Sequence, residues 1–362
     1  MTRWTTLVPP IALVALVVAW VTHPEDPIGV GLVAVFLVAA VIAAVHHADV
    51  VAHRVGDPLG SLILAVAVTV IEVALIVTLM VGDPEHGATL ARDTVFAAVM
   101  LTLNGIVGLS LLVGALRHHL AVFNPEGTGS ALATVITLSG LTLVLPTFTT
   151  SEPGPEFSPS QLAFAAVVSL ALYLLFVFTQ TVRHRDFFLP PKDLEADNHR
   201  DDRGDDHDTP GNRTTVLSLM LLLAALVAVV GLAKVESKPL EKAVNAAGLP
   251  QELVGVVIAT LVLLPEAISA IQAAADNRAQ VSFNLAYGSA MASIGLTIPA
   301  IALAKIWLDG PLILGLQTTQ IVLLVLSAIV AVLTVVPGRS KPLQGGLHLV
   351  LLATFVFVSI KP

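Results

Sequence analysis

Long apolar runs recur along the whole chain, and they constrain its fold more than any other feature. A helix that crosses the hydrocarbon core of a bilayer needs roughly 17–25 predominantly apolar residues. Eleven runs of about this length are separated by short breaks that carry Gly, Pro or charged residues. Because backbone polar groups in lipid must be satisfied inside the segment, these runs predict an all-α integral membrane protein. Their approximate bounds are 8–22, 28–46, 58–81, 91–117, 129–148, 161–182, 214–234, 250–275, 279–307, 311–335 and 343–360.

The composition fits this class and excludes several others. Hydrophobic residues make up 56% of the chain and charged residues 12%, whereas soluble domains carry about a quarter charged residues. The absence of cysteine excludes disulfides, thiolate metal sites and cysteine nucleophiles. The net charge of −8 lies mostly in the breaks between runs, which argues against nucleic acid as a partner and leaves the lipid bilayer.

One break differs from the rest and divides the chain. Residues 183–213, "RHRDFFLPPKDLEADNHRDDRGDDHDTPGNR", are rich in acids and poor in apolar residues. Five runs precede this linker, if the first is set aside, and five follow it. An odd number of spans per half gives the halves opposite orientations, as in inverted-topology repeats. The predicted division is an N-terminal transmembrane helix (1–24), a first five-helix repeat (25–182), an acidic cytoplasmic linker (183–213) and a second five-helix repeat (214–362).

Two glutamates lie deep inside predicted spans, whereas the other acidic residues are predicted to lie in breaks or at helix ends. Glu72 and Glu266 each belong to the second run of a half, and an offset of 194 superimposes them. A carboxylate near the bilayer centre costs at least ~2.5–3.5 kcal/mol on insertion scales and marks a transport path by default. The pair therefore predicts a cation site near the midplane, where protons and metal compete for the same oxygens. The alternative is a pair of protonated structural residues that hydrogen-bond between helices.

Further oxygen atoms are expected around this pair, because Ca²⁺ takes six to eight oxygen ligands. Pro265 cannot donate to the carbonyl of Leu261, which leaves that oxygen free to face an ion, or else merely produces a helix kink. Thr69, one turn before Glu72, adds a hydroxyl on nearly the same face.

The next helix of each half also carries polar side chains. Asn104 lies in "MLTLNGIVGLSLLVG", and Ser289 and Ser293 lie four apart in "FNLAYGSAMASIGLTIP". The spacing places the two serines on one helical face. They are candidate ligands, and close helix packing is the alternative role for such small polar residues.

At these residues the chain resembles a known family. "VTVIEVALI" and "VLLPEAISA", each followed by a Gly- and Ser-bearing helix, resemble the two α-repeats of the cation/Ca²⁺ exchanger superfamily. "NLAYGSAMASIGLTIPA" resembles the bacterial calcium/proton antiporter branch. The resemblance implies Ca²⁺ export driven by protons through alternating access, with Glu72 and Glu266 shared by cation and protons. It implies no cofactor beyond the transported ions, and it maps the family's polar positions onto Ser289 and Asn104.

The expected location is a bacterial plasma (inner) membrane with a cytoplasmic N-terminus. In that orientation twelve of the 18 Lys and Arg residues face the cytoplasm, as the positive-inside rule requires. The first run is expected to stay in the protein, because no small-residue cleavage site follows it. The oligomeric state is left open, and a homo-oligomer is one expectation.

The sequence departs from the superfamily pattern Gly-Asn-x-x-Glu in both halves. Val68-Thr69 and Val262-Leu263 stand where the Gly-Asn pairs are expected. Fewer oxygens suit a smaller coordination number, so exchange of Na⁺ or K⁺ for protons stays open beside Ca²⁺.

The acidic linker is a second candidate for Ca²⁺ binding, in a regulatory role. Eight acids fall within the sixteen residues 193–208, although a solvated, disordered loop is the commoner meaning of a like-charge run. The residues proposed for this role are Asp201, Asp202, Asp205, Asp206 and Asp208.

Other function classes fit less well. The chain contains no HExxH motif, and no predicted span places Arg or Lys deep for a phosphate site, so an enzyme is not expected. Channels also use acidic rings, yet titratable carboxylates in paired inverted repeats favour an exchanger over a cation channel.

Overall fold

The protein is described by a computed structural model over residues 3–24, 26–55, 59–82, 84–190, 211–246, 248, 250, 252–308 and 310–361. Helices dominate this part of the chain, which confirms the all-α class. The α-helices are α1 (Arg3–Thr22), α2 (Pro27–Val55), α3 (Leu59–Gly82), α4 (Pro84–Met100), α5 (Val107–His118), α6 (Pro125–Ser139), α7 (Pro159–Phe178), α8 (Asn212–Ala246), α9 (Glu252–Ala275), α10 (Ala279–Ala304), α11 (Thr318–Val335) and α12 (Pro342–Ile360).

The helices form the predicted plan of one plus five plus five spans. Ten segments of the described chain are long and apolar enough to cross a membrane, and α4 and α5 form one of them, Gly87–His118. Helix α3 supplies the eleventh span, with an apolar stretch over Val66–Thr78. The first half therefore comprises α2 to α7, and the second comprises α8 to α12.

Two apolar clusters hold the spans together. One cluster joins α1 to α4 with α8 and α9, and the larger one joins the helices from α3 to α7 with those from α9 to α12. Helix α1 packs on α2 and α8, and Gly231 of α8 leaves the space that Leu16 fills. The N-terminal helix is thus attached to the edge of the bundle.

A short antiparallel ribbon ties the two halves together at one end of the bundle. Strand β1 (Ala121–Val122) follows α5, and β2 (Arg339–Ser340) precedes α12. Ala121 pairs with Ser340 and Val122 pairs with Arg339. The backbone N–H of Phe123 also donates to the carbonyl of Gly338 at 3.0 Å, where a φ of +67° favours glycine.

One predicted span begins later than the sequence indicated. The run at 311–335 forms a helix only from Thr318. The residues before it lie outside helices because their N–H groups bond to other parts of the fold. Ile313 donates to the Ala88 carbonyl at 2.9 Å, Gly315 to Pro155 at 3.0 Å, and Leu316 to Leu143 at 2.8 Å.

The span formed by α4 and α5 contains a π-helical turn at Leu101–Ile106, with Asn104 inside it. Such turns insert one extra residue into the helix and are frequent at functional sites. Apolar periodicity does not reveal them, and the turn was not predicted.

The prediction that acidic residues other than the two glutamates lie in breaks or at helix ends is wrong for Asp93 and Glu236. Asp93 is buried inside α4 and accepts a hydrogen bond from Arg92 Nε at 2.8 Å. Gly255 of α9 packs so closely that a Cβ there would lie 2.8 Å from the Asp93 carbonyl carbon. Glu236 is buried and lies inside α8, because that helix continues to Ala246, beyond the apolar run.

Candidate cation site

Glu72 and Glu266 line one cavity inside the bundle. Glu72 lies on α3 and Glu266 on α9, the second helix of each half, and α7 and α10 complete the walls. The cavity has a volume of about 140 Å³. Since one water molecule needs roughly 10–15 Å³ by this measure, an ion and several water molecules fit. The lining residues are Val68, Thr69, Glu72, Tyr173, Phe176, Val177, Glu266, Asn284, Leu285, Gly288, Ser289, Ala292 and Ser293.

Helix α10 supplies hydroxyl groups to the first carboxylate. Ser293 Oγ donates to Glu72 Oε2 at 2.8 Å, and Thr297 Oγ1 donates to the same oxygen at 3.1 Å. Ser293 and Thr297 lie four residues apart, so the helix presents both on one face. Glu72 is only 1% exposed, and hydrogen bonds to a carboxylate at such a site stabilise its negative charge.

Three buried oxygens in this cavity have no hydrogen-bond partner among the described residues. They are Glu72 Oε1, Glu266 Oε2 and Thr69 Oγ1. A buried polar group without a partner costs about 1–3 kcal/mol, and native structures contain few of them. Three in one cavity, two of them on carboxylates, fit a site that a cation or protons complete.

The cavity brings together five of the residues predicted from sequence. Glu72, Glu266, Thr69, Ser289 and Ser293 all line it. The remaining wall is largely apolar, because α7 and α10 contribute aromatic and aliphatic side chains. A low local dielectric strengthens every electrostatic interaction inside the cavity.

The other predicted ligands lie elsewhere. Asn104 is fully buried, and its amide is engaged outside the cavity, where Nδ2 donates to Ser327 Oγ at 2.8 Å. Helix α9 continues through Pro265, and neither Pro265 nor Leu261 lines the cavity within the described chain. The role of the Leu261 carbonyl stays a prediction. The linker aspartates Asp201, Asp202, Asp205, Asp206 and Asp208 lie outside the described residues.

Sequence reasoning missed three polar contributors to the site. Thr297 continues the four-residue spacing of Ser289 and Ser293, so extending that pattern by one turn finds it. Asn284 lines the cavity while its Nδ2 donates to the Phe188 carbonyl at 2.7 Å. Tyr173 comes from α7, and nothing in its local sequence distinguishes it from a core aromatic residue.

Comparisons with known proteins agree with this architecture. The family described as Sodium/calcium exchanger protein matches residues 11–182 and 217–361. A solved structure of the H⁺/Ca²⁺ exchanger CAX superimposes with a TM-score of 0.70 at 15% identity, covering 98% of this chain and 89% of that one. At that identity the likeness shows the fold alone.

Two curated relatives align over nearly their whole length. A protein of Sinorhizobium fredii that carries the name of an ionic transporter is 43% identical over 361 residues, covering 99% of this chain and 96% of the relative. The sodium-potassium/proton antiporter of Escherichia coli is 32% identical over 355 residues, covering 97% of this chain and 95% of the relative. The chain belongs to the sodium/calcium exchanger protein family.

Proposed function

We propose that the protein is a secondary active antiporter that exchanges Ca²⁺ for protons by alternating access. The observation that carries this proposal is the shared cavity, in which Glu72 and Glu266 each keep a buried oxygen with no partner in the described chain. In the proposed cycle the deprotonated pair binds the cation from the cytoplasm. Protons arriving from the other side displace the metal and neutralise the carboxylates for the return step.

Charge balance favours a divalent cargo. Two ionised carboxylates carry a charge of −2, which one Ca²⁺ or two protons neutralise. An uncompensated charge in a low-dielectric site is costly. The protein can therefore change conformation when the pair holds Ca²⁺ or two protons, and the conformational change is disfavoured when the pair is an empty dianion. This coupling is what an exchanger requires and a channel does not.

The oxygen count is compatible with Ca²⁺ when water contributes. The carboxylates offer Oε1 of Glu72 and both oxygens of Glu266, since Oε2 of Glu72 accepts from two hydroxyls. Thr69 and Ser289 line the same cavity. Calcium accepts mixed shells of carboxylate, neutral oxygen and water with flexible geometry.

The positions of the cavity-lining residues along their helices support entry of the cation from the side of the membrane on which the linker lies. Val68 and Thr69 precede Glu72 on α3, and Phe176 and Val177 lie near the end of α7, which leads into the linker. With the linker in the cytoplasm, the cavity lies on the cytoplasmic side of Glu72.

Exchange of Na⁺ or K⁺ for protons is the second candidate. Val68-Thr69 and Val262-Leu263 supply no amide oxygen before either glutamate, and the relative at 32% identity is named a sodium-potassium/proton antiporter. A monovalent ion balances the pair if one carboxylate keeps its proton.

Flux into proteoliposomes tests both candidates. With an imposed pH gradient, the protein is expected to accumulate Ca²⁺ against its concentration gradient, and parallel vesicles report Na⁺ and K⁺. Glu72→Gln and Glu266→Gln should each abolish coupled exchange, whereas Glu152→Gln, at an exposed glutamate, should retain it. Normal exchange in either cavity variant would falsify the proposal, and downhill flux without coupling would indicate a channel.

A further inference from the structure

A second polar cluster is buried away from the cavity, between α11, α12 and the π-helical turn. It comprises Asn104, Ser327, Thr334 and His348, each of which is at most 2% exposed. Asn104 Nδ2 donates to Ser327 Oγ at 2.8 Å. On the imidazole of His348, Nδ1 lies 3.3 Å from Asn104 Oδ1, and Nε2 lies 3.2 Å from Thr334 Oγ1.

The chemistry of these groups assigns the hydrogens. An amide oxygen only accepts, so Nδ1 of His348 carries the proton and donates to Asn104. The imidazole also hydrogen-bonds to the backbone of Leu103 in the same π-helical turn. The other nitrogen then accepts from the Thr334 hydroxyl. His348 therefore bridges α11 and the π-helical turn, and it keeps the Asn104 amide oxygen occupied.

His348 holds a position in the second half similar to that of Tyr173 in the first. Each belongs to the last helix of its half, and each packs on a glycine of the helix that carries the polar residues. A Cβ at Gly295 would lie 2.6 Å from Tyr173 Cβ, and a Cβ at Gly108 would lie 2.9 Å from His348 Cβ. Tyr173 borders the cavity, whereas His348 lies in a packed interface.

The interface around His348 is closed by direct backbone contact. A Cβ at Gly345 would lie 2.8 Å from the Gly108 carbonyl oxygen and 2.7 Å from the Leu112 nitrogen, so the backbones of α12 and α5 are in close contact. On the cavity side, a Cβ at Gly288 would meet nothing within 4 Å. The packing is thus open at Gly288 beside the cavity and closed between α5 and α12 at Gly345.

We propose that His348 is a positioning residue that pins α12 against the π-helical turn and holds the Asn104 amide away from the cation path in this conformation. The proposal rests on the proposed function in one respect, the alternation between two conformations. When the α12 side opens, α12 must move away from α5, and the hydrogen bond between His348 and Asn104 must break. Loss of that bond alone should therefore favour opening.

Two amide substitutions separate the bond to Asn104 from the bond to Thr334. In His348→Asn the side-chain nitrogen replaces Nδ1 and can still donate to Asn104, but it no longer reaches Thr334. In His348→Gln the amide reaches Thr334 and loses the atom at Nδ1. The chain has no native cysteine, so Leu352→Cys gives a single reporter on α12, where Leu352 packs near Gly105.

The measurement is the rate at which a water-soluble maleimide alkylates Leu352→Cys in reconstituted protein. Since a hydrogen bond is worth about 0.5–1.5 kcal/mol net, His348→Gln should raise this rate about 2- to 10-fold. His348→Asn should leave it within about twofold. An unchanged rate in His348→Gln, or an equal rise in both variants, overturns the proposal.

Removal of the acceptor provides an independent check. Asn104→Leu should also raise the alkylation rate, because it removes the bond to His348 as well as the bond to Ser327. The double variant should show less than additive effects, because the two changes share the bond between His348 and Asn104. Additive effects of the two substitutions would contradict the proposed role of the bond between His348 and Asn104. Alkylation needs no transported ion, so its outcome is separable from a failure of Ca²⁺/H⁺ exchange in the flux assay.

Discussion

At the residue scale, the site depends on two hydroxyl groups that converge on one carboxylate oxygen. Ser293 and Thr297 both donate to Glu72 Oε2, and in the proposed cycle the cation binds the charged form of that glutamate. The second oxygen, Oε1, stays available for the ion. The hydroxyls thus stabilise the charge without occupying the whole carboxylate.

Thr297→Val removes one of these donors with almost no change in side-chain volume. Because hydrogen bonds to charged groups contribute about 1.5–3 kcal/mol, the apparent affinity for Ca²⁺ in the flux assay should fall about tenfold or more. Thr142→Val is the matched control, since Thr142 is equally buried, donates to the Leu138 carbonyl one turn before it and lies outside the cavity-lining set. An unchanged affinity in Thr297→Val would show that the hydroxyl does not support the charged glutamate.

Residues of the site differ in how far the sequence reveals them. Glu72 and Glu266 could be predicted because a carboxylate is costly in an apolar run and is rarely kept there without a functional role. Ser293 could be predicted because it shares a helical face with Ser289.

Asn104 illustrates the limit of prediction from sequence. Its helix and depth are those of a ligand, but its partners Ser327 and His348 lie more than 200 residues away in sequence, and local pattern carries no information about them.

At the scale of elements, the contact between α5 and α12 depends on glycine. Gly345→Ala would place a methyl group 2.7 Å from the Leu112 nitrogen, whereas at Gly346, the next residue, a Cβ meets nothing within 4 Å. Overpacking costs typically 1–3 kcal/mol, and Ala in place of Gly in a helix gains about 0.5–1 kcal/mol. Gly345→Ala should therefore lower the melting temperature in detergent, and Gly346→Ala should leave it unchanged or raise it. Equal melting temperatures would contradict the close helix contact.

Helices were predictable where apolar composition decides them, and irregular turns were not. The eleven spans follow from the length of the apolar runs. The π-helical turn at Leu101–Ile106 and the non-helical start of the run at 311–335 both depend on hydrogen bonds and packing from distant segments, such as the bond from Leu316 to Leu143. Such tertiary partners override local preference, and apolar runs do not identify them.

At the scale of the whole molecule, the inverted plan makes a prediction about sidedness. The loop between α6 and α7 should face the outside, and the turn between α9 and α10 should face the cytoplasm. In intact cells, a membrane-impermeant maleimide should modify Glu152→Cys and spare Asp276→Cys until the cells are opened. Both residues are exposed, so the contrast reports topology alone. Modification of Asp276→Cys in intact cells would show that the orientation is opposite to the predicted one.

The ribbon between β1 and β2 has a consequence for biosynthesis. Ala121 pairs with Ser340, so the first half of the protein must wait for its partner strand until almost the entire chain has left the ribosome. At about 5–20 residues per second, the intervening segment takes roughly 10 to 45 seconds to translate. During that interval the edge at Ala121 and Val122 has no strand to pair with. Chaperones or the insertion machinery can still act on the incompletely synthesised chain.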